Sequence, residues 1–205
     1  MKSVSRPYAD SGRTGQKRRT MDALVAAARA LVAAGRAPTV DQAAEAAGVA
    51  RSTAYRYFPG QRELLAAAHP ETARASMLPD APPLDAAERL NAVVVEFTRM
   101  ILETEAQQRT MLRLSLESTD GPDRSLPLRQ GRAIGWLTEA LMPLQGELSD
   151  EQIHKLVLAI RSAIGIEALV WLTDVGGLDR EEAIESMRWT AAALLAKAQT
   201  EGLWR

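Results

Sequence analysis

The chain has 205 residues, no cysteine and two histidines, with a formal net charge of -1. This length suits one or two domains with a sizeable core, and the lack of cysteine excludes disulfides and thiolate metal sites. The first twenty residues are polar and basic, so no signal peptide is expected. Arg161 and Glu167 interrupt the longest apolar run, residues 156–172, which argues against a membrane span. We therefore expect a cytoplasmic protein.

The charges are unevenly distributed along the chain. Residues 1–62 hold 11 Lys and Arg against 4 Asp and Glu, whereas residues 63–205 hold 14 against 22. A basic amino-terminal third indicates a region that faces a polyanion, with chance clustering as the alternative. Ala, Leu and Arg are frequent and aromatic residues make up only 4% of the chain. This composition favours an all-α fold.

The amino-terminal residues 1–16 contain one Pro and two Gly and lack apolar periodicity, which predicts a disordered basic arm. A helix is predicted from Lys17 to about Ala34, because apolar residues recur there at helical spacing. Lys17 and Arg18 at its start are candidates for a phosphate or minor-groove contact. The alternative for the arm is a solvated tail without a role.

Residues 39–60, TVDQAAEAAGVARSTAYRYFPG, contain two short helical segments on either side of Gly48. Thr39 and Gln42 have the spacing of a capping box for the first helix. Ala44 is small enough for two helices to cross, and Gly48, four residues later, tolerates the left-handed backbone of a tight turn. These features predict a helix-turn-helix.

The second of these helices begins with Arg51, Ser52 and Thr53. In a helix-turn-helix this end enters the major groove, where Arg can pair with guanine and hydroxyl groups can reach phosphates. A plain helical hairpin is the alternative, and the Ala-x-x-x-Gly spacing alone would favour it. The following run, Tyr-Arg-Tyr-Phe-Pro, makes the hairpin much the weaker interpretation.

This segment resembles the amino-terminal domain of the tetracycline-repressor (TetR) family of bacterial transcription regulators. The resemblance is specific over about residues 17–66, and residues 165–189 are similar to the last two helices of many members. The matching residues are Val40, Ala43, Ala44, Ala47, Gly48, Val49, Thr53, Tyr55, Tyr57, Phe58, Pro59, Glu63, Leu64 and Leu65. The resemblance implies about nine helices: a three-helix DNA-binding head at 17–65 and a larger carboxy-terminal helical domain at 66–205 for ligand binding and dimerisation.

The resemblance also implies DNA-contacting residues outside the start of the second helix. Thr39 would lie near a phosphate, and Tyr55 and Tyr57 would place hydroxyl groups on phosphates, with Tyr57 also packing inward. Gln61 stands where the family usually has a Lys that touches a phosphate. Gln61 retains a hydrogen-bond donor but carries no charge. In the family the helix that starts here transmits the state of the ligand to the head.

Beyond the head, periodicity and helix caps predict six helices in the rest of the chain. The stretch 111–117 alternates apolar and polar residues like a strand, but a lone strand would have no partner in a helical chain. Residues 79–84 and 118–127 are predicted breaks, the first because it contains three Pro. The predicted helices run from Gln61 to about Ser76, from Asp85, over 107–118, to about Leu141, from Ser149 to about Thr173, and from Asp179.

The last two of these, the eighth and ninth predicted helices, are rich in small residues that allow close helix packing. We expect them to pair with their copies in a second subunit as a four-helix bundle, giving a homodimer. The alternative is that the same faces pack within one chain.

A small-molecule pocket in the carboxy-terminal domain is implied by the resemblance alone. The residues chosen to line it share an apolar or polarisable side chain, with two polar residues to test beside them: Phe97, Met100, Met111, Trp136 and Trp171, with Arg113 and Glu117. The alternative is stronger for each apolar member, because Met and aromatic residues at helical spacing more often belong to a core.

Catalysis has little support in the sequence, and no cofactor or metal is expected. No nucleophile elbow or phosphate-binding Gly loop occurs, and Glu151 and His154 form a single carboxylate–His pair without the second copy of a di-iron bundle. We therefore predict a non-enzymatic, homodimeric regulator that binds a double-stranded operator. Repression, and release by an unknown small molecule, follow the family's habit. The alternatives are a ligand-independent architectural DNA-binding protein and a helical-bundle enzyme.

Overall fold

The structure is a computed structural model that describes residues 9–69, 74–116 and 131–203, with the side chains of residues 9–14 excluded. Every regular element in these ranges is helical, which confirms the predicted all-α class. The helices are α1 (Ala9–Ala33), α2 (Val40–Ala46), α3 (Arg51–Tyr57), α4 (Gln61–Ala68), α5 (Ala86–Glu103), α6 (Glu105–Leu116), α7 (Arg132–Leu141), α8 (Asp150–Ala163), α9 (Ile166–Val170) and α10 (Arg180–Glu201). A 3₁₀ turn (Met142–Leu144) follows α7, and a π-helical turn (Trp171–Val175) follows α9.

Side-chain caps fix the start of four helices where the sequence predicts them. The Asp85 carboxylate accepts hydrogen bonds from the backbone N–H groups of Ala87 and Glu88 at the start of α5. The other three are complete capping boxes, formed by Thr39 with Gln42, Ser149 with Gln152, and Asp179 with Glu182. Each box satisfies backbone N–H groups that have no partner within the first turn.

The first helix begins at Ala9, two turns before the predicted start at Lys17. The prediction of a disordered arm through residue 16 is therefore wrong for residues 9–16, while residues 1–8 lie outside the described part. The start was predicted from the apolar stripe, which begins at Met21, because the residues before it show almost no apolar periodicity. Residues 16–19 are exposed, and Arg18 forms a local ion pair with Asp22 at 3.9 Å.

Helix α4 is shorter than predicted. It ends at Ala68, and His69 has φ -60° and ψ 134°, whereas the sequence predicted a helix to about Ser76. The cause is Pro70, which disfavours a helical backbone at the residue before it. The break at 79–84 and the helical assignment of α6 are both confirmed within the described residues.

The predicted eighth helix, Ser149 to about Thr173, is divided at Gly165 into α8 and α9. Gly165 has φ 135° and ψ -180°, a region that side-chain-bearing residues rarely adopt. A Cβ at this position would lie against the Arg161 guanidinium and 2.9 Å from the Glu167 carboxylate. Gly165 therefore allows a sharp turn between two helices, and the prediction of one continuous helix is wrong here.

Three groups of buried side chains organise the molecule. The head core joins α1, α2, α3 and α4 around Leu24, Ala44 and Leu64, and the larger core joins α5, α7, α8, α9 and α10. A third, small cluster of Val32 from α1, Leu65 from α4 and Met111 from α6 lies between them. The head is thus packed directly against α6 through apolar contacts.

One stretch, Asp150–Val175, is long and apolar enough to cross a membrane by length and composition alone. It comprises α8, α9 and the π turn, and 39% of its most apolar window is buried inside the protein. A single stretch of this kind is weak support for a membrane span, because a core helix passes the same test.

Candidate nucleic-acid interface and effector cavity

The turn between α2 and α3 has the geometry of a helix-turn-helix. Gly48 has φ +64° and follows the end of α2. Its N–H donates to the Glu45 carbonyl at 3.1 Å, and the Val49 N–H donates to the Ala44 carbonyl at 2.9 Å. This pair of hydrogen bonds is the Schellman arrangement, which needs a left-handed residue at Gly48. The turn therefore sets the direction in which α3 leaves α2.

Small buried side chains allow α2 and α3 to pack closely. Ala43, Ala44 and Ala54 are fully buried, and Phe58 after α3 is 6% exposed. These residues form one side of the two helices, so the opposite side of α3 remains exposed. Arg51, Ser52, Tyr55 and Arg56 are exposed there, whereas Thr53 and Tyr57 are half-buried.

Arg51 is engaged by a carboxylate across the turn. Its Nη2 atom donates to Oδ2 of Asp41 on α2 at 2.5 Å, with the Arg51 side chain 74% exposed and that of Asp41 32% exposed. The pair joins the second residue of α2 to the first residue of α3. Arg51 was predicted from its place at the start of the second helix, whereas the only signal for Asp41 in the sequence is an opposite charge ten residues earlier.

Thr39 is exposed, and its hydroxyl oxygen accepts from the Gln42 backbone N–H at 3.2 Å. Gln61 binds the backbone ahead of α2: its Nε2 atom donates to the carbonyls of Ala37 at 2.9 Å and Pro38 at 3.2 Å. Both hydrogens of the Gln61 amide are thereby used. Gln61 fixes the segment that precedes Thr39, and its donors point to the protein backbone.

The two basic residues predicted at the start of the first helix lie on exposed turns of α1. Lys17 is exposed, and Arg18 is 84% exposed while paired with Asp22. Both precede the turns of α1 that pack in the head core.

A cavity of about 530 Å³ lies between α6, α7, α8 and α9, within the range typical of small-molecule sites. Its wall combines apolar side chains with a few polar groups: His69, Gln108, Met111, Leu112, Gly131, Ile134, Leu158, Arg161, Ser162, Ile166 and Glu167. His69 and Gln108 are each 3% exposed. The cavity thus has an apolar interior with several polar positions at fixed places.

The structure does not gather the residues predicted to line a pocket. Phe97, Met100 and Trp136 belong to the larger core, and Trp171 is 61% exposed. Met111 does line the cavity. Of the two polar residues named with them, Arg113 is exposed on α6 and Glu117 lies outside the described residues. Phe97 and Trp136 therefore agree with the alternative that these side chains belong to the core. Their rings pack edge to face there, with centroids 5.9 Å apart.

Arg161 and Glu167 are the charged groups of the cavity wall, and in the sequence they were interpreted only as interruptions of an apolar run. Arg161 Nη1 donates to the Ile164 carbonyl at 2.8 Å and to Glu167 Oε2 at 3.3 Å. Its guanidinium also lies 5.6 Å from the centre of the Phe97 ring, an attractive cation–π geometry. Two opposite charges in an otherwise apolar run were the signal that could have located this wall.

The cavity and the head meet at the end of α4. The Ala68 carbonyl accepts from Nε2 of Gln107 on α6 at 2.8 Å and from Nε of Arg29 on α1 at 3.2 Å. The next residue, His69, lines the cavity. Met111 also lines the cavity while packing with Val32 and Leu65 of the head. Helix α6 therefore contacts both regions.

On its other side, α6 is tied to the π turn and to the start of α10 by charged groups. Arg109 donates to both oxygens of Asp174 at 2.6 and 2.9 Å and to Glu105 at 2.8 Å. Glu105 accepts two further bonds from Arg180 at 2.6 and 3.0 Å. The Arg109 guanidinium lowers the pKa of Asp174 to about 2, and Arg180 above all lowers that of Glu105.

Within the described residues, no group of three or more His, Asp or Glu is placed to hold a metal ion. The described helices form a helix-turn-helix head on an all-helical body.

Comparison with known proteins identifies the head. Residues 23–68 match the family model of bacterial regulatory proteins, tetR family, which confirms the resemblance seen in the sequence. This segment is similar to the amino-terminal domain of that family, which supports a role in DNA-binding regulation. No curated protein sequence matches the chain.

Solved structures extend the likeness in fold to the body. A TetR transcriptional regulator from Rhodococcus sp. RHA1 has a TM-score of 0.59 at 19% identity, covering 87% of this chain and 97% of that one. Full-length TylP, a TetR regulator from Streptomyces fradiae, has a TM-score of 0.57 at 17% identity, covering 88% and 87%. The likeness shows that the carboxy-terminal helices share the fold of these regulators.

Proposed function

We propose that this chain is a cytoplasmic repressor that binds a pseudo-palindromic operator as a homodimer and leaves it when a small molecule occupies the cavity. The observation that carries the proposal is the exposed side of α3, which presents Arg51, Ser52, Tyr55 and Arg56 from a basic head. A short helix with an exposed polar side, held by a helix-turn-helix, is the element that such proteins insert into the major groove.

The proposed DNA contacts divide by chemistry. Arg51, Ser52 and Thr53 at the start of α3 would meet base edges, since Arg pairs with guanine in two places. Phosphate contacts, which orient the head without reading sequence, are proposed for Thr39, Tyr55, Tyr57, Lys17 and Arg18. Gln61 supports this set indirectly, because its amide hydrogens hold the backbone before Thr39.

The experiment that tests DNA binding is fluorescence anisotropy on the DNA upstream of the chain's own gene and its neighbours, compared with scrambled DNA over a salt series. We expect tight, selective binding whose affinity falls steeply with salt. Equal, weak binding to both DNAs at every salt concentration would contradict sequence-specific regulation by these sites.

Arg51→Ala is expected to weaken operator binding by roughly 1–3 kcal/mol and to relax the preference at one base pair. The matched control is Arg132→Ala, which removes an exposed arginine at the start of α7 in the body. Anisotropy on the selected operator measures both. An Arg51→Ala protein as tight and as selective as the Arg132→Ala protein would contradict the base-reading role.

Homodimerisation through α8, α9 and α10 is proposed on the apolar side chains that these elements expose. They are Leu158 at 44%, Trp171 at 61%, Val175 at 72% and Trp189 at 73% exposed. Large exposed apolar groups on neighbouring elements are typical of subunit interfaces, and α10 packs against both α8 and the π turn. A dimer would also place two recognition helices for two half-sites.

Release by a small molecule is proposed because Met111 lines the cavity and also packs in the cluster between head and body. A ligand that displaces Met111 or the neighbouring Gln107 would alter the support of α4, whose last carbonyl Gln107 binds. Such a ligand acts only if it binds one head position better than the other. Its chemistry should combine an apolar body with a polar group that reaches Arg161, His69 or Gln108.

The effector test is a screen of amphipathic small molecules for release of the protein from its operator. Ser162→Trp, which places a large ring in the cavity wall, is expected to abolish the response while leaving DNA binding intact. Arg132→Ala is the control that should keep the response. A molecule whose effect survives Ser162→Trp acts at another site, and would remove this cavity from the proposal.

A further inference from the structure

We propose that Asp41 is a positioning residue for Arg51 and thereby determines how selectively the head discriminates among DNA sequences. This inference rests on the DNA-binding function proposed above. It assigns a role in recognition to an acidic side chain in a basic head, where a negative charge would by itself weaken binding to a polyanion.

The geometry fixes the two groups relative to each other. Asp41 lies in the first turn of α2, Arg51 is the first residue of α3, and the Schellman turn at Gly48 sets the direction between these helices. Oδ2 of Asp41 contacts Arg51 at 2.5 Å, while Oδ1 is buried. Oδ1 lies inside the head without a hydrogen-bond partner among the described residues, so Oδ2 is the atom that makes the ion pair, and this pair limits the rotamers of the long Arg51 side chain.

This arrangement leaves Arg51 able to read a base. A guanidinium has five N–H groups in a planar fork, and the contact with Asp41 uses one on Nη2. The remaining donors suffice for a two-bond contact with guanine. Because the carboxylate limits the rotamers of Arg51, the side chain is ordered before DNA arrives, and less conformational freedom is lost on binding.

The same carboxylate acts against the wrong contact. An unpaired arginine on a long, flexible side chain can reach a phosphate of any sequence. Beside Asp41, the positive charge is partly neutralised, and a phosphate that approaches Arg51 also approaches the carboxylate. Selectivity is a difference between two affinities, so a group that weakens binding to all phosphates raises selectivity provided that it leaves the base contact intact.

Asp41→Asn separates this role from a general effect of charge. Asn keeps the size of the side chain, but removes the charge that orders Arg51. We expect higher affinity for scrambled DNA and a ratio of operator to scrambled affinity that falls about tenfold, the scale of one well-positioned base contact. The matched control is Glu45→Gln, which removes the same charge from an exposed position one turn later on α2.

The measurement is anisotropy on a duplex selected from random DNA by the wild-type protein, and on its scrambled form. The variants are Asp41→Asn, Glu45→Gln, Arg51→Ala and the double variant Asp41→Asn with Arg51→Ala. The proposal requires that Asp41→Asn lower the ratio, that Glu45→Gln leave it unchanged, and that Asp41→Asn add nothing once Arg51 is removed. Equal effects of Asp41→Asn and Glu45→Gln, or an Asp41 effect that persists without Arg51, would overturn it.

A readout without DNA distinguishes failure of this proposal from failure of the proposed function. Nitrogen relaxation of the Arg51 Nε group in the free protein should show an ordered side chain that becomes mobile in Asp41→Asn. Unchanged mobility would overturn the positioning role whatever the DNA data show. A wild-type protein with an ordered Arg51 that selects no duplex would refute DNA reading, and with it the role of Asp41 in selectivity.

Discussion

Gln61 binds the protein backbone at a position where a phosphate contact was expected. The resemblance seen in the sequence implies a Lys at this place that touches a phosphate, whereas here the Gln61 amide donates to the carbonyls of Ala37 and Pro38. These hydrogen bonds fix the segment between α1 and α2, but they bring no positive charge to the surface. On the proposed function, the hydroxyl groups of the head and the arginines of α3 would then make the contacts that fix the head on DNA.

Gln61→Lys should restore a phosphate contact. We expect the slope of log affinity against log salt concentration to steepen by about 0.9 for each contact added. Anisotropy over a salt series measures the slope, with Gln145→Lys, exposed after the 3₁₀ turn that follows α7, as a control that adds the same charge outside the head. If both variants change the slope equally, the site of Gln61 does not face a phosphate.

At this scale the sequence predicted residues whose role follows from local chemistry. Thr39, Gln42, Gly48 and Ala44 act within a few residues of their own position, and each lies where the spacing indicated. Asp41 was missed because its role depends on a contact made across a turn. The cavity residues Arg161 and Glu167 were missed for a related reason. Their place in the cavity wall depends on the bend at Gly165, which apolar periodicity does not predict.

The bend at Gly165 is the main difference between the predicted and observed helices. Apolar spacing is uninterrupted from α8 into α9, so the pattern predicts one helix. The turn is instead specified by one backbone conformation and by Arg161, which donates to the Ile164 carbonyl and occupies the space of a Cβ. Apolar periodicity predicts which residues of a helix are buried. It does not predict a bend after which the same residues are still buried.

Gly165→Ala should destabilise the protein by at least about 1 kcal/mol, because the left-handed backbone is strained for Ala and Arg161 must move. The matched control is Gly135→Ala in the exposed middle of α7, where a Cβ meets nothing within 4 Å. That variant should stabilise the protein by about 0.5–1 kcal/mol. Urea unfolding of both compares them directly, and equal stabilisation would show that α8 can continue straight through residue 165.

The charged network of α6 predicts a dependence on pH. Arg109 lowers the pKa of Asp174 from 3.8 to about 2, so the folded protein binds this proton less readily than the unfolded chain. The resulting stabilisation is present above the unfolded pKa and is lost as pH falls towards the folded one. Asp174→Asn should therefore lower the melting temperature at pH 5 to 7, with the difference shrinking below pH 3.8.

Asp150→Asn, on the first turn of α8 and outside this network, is the control for removal of an exposed carboxylate. The measurement is the melting temperature of the wild type and both variants from pH 2 to pH 7. A difference between the wild type and Asp174→Asn that stays constant across that range would show that the ion pair with Arg109 contributes nothing to stability.

At the scale of the whole molecule, α6 is the element that contacts the head, the cavity and the π turn. It supplies Met111 to the cavity and to the contact with the head, Gln107 to the end of α4, and Arg109 to the π turn next to α10. A change in the position of α6 would therefore reach both the DNA-binding head and the proposed dimer elements. The all-α class and the head were predictable from local patterns, whereas this connection depends on which distant side chains meet.

Dimerisation is the property of the whole molecule that one substitution tests best. Trp189 is 73% exposed on α10, and burying an aromatic side chain of this size contributes strongly to an interface. Trp189→Arg should shift the protein towards monomer in analytical ultracentrifugation at micromolar concentration and weaken binding to a two-half-site operator. Leu84→Arg, at a position 92% exposed in the segment before α5, should leave both unchanged. If Trp189→Arg remains as dimeric as Leu84→Arg, the subunits pair through another face, while a monomeric wild type would remove the dimer from the proposed function.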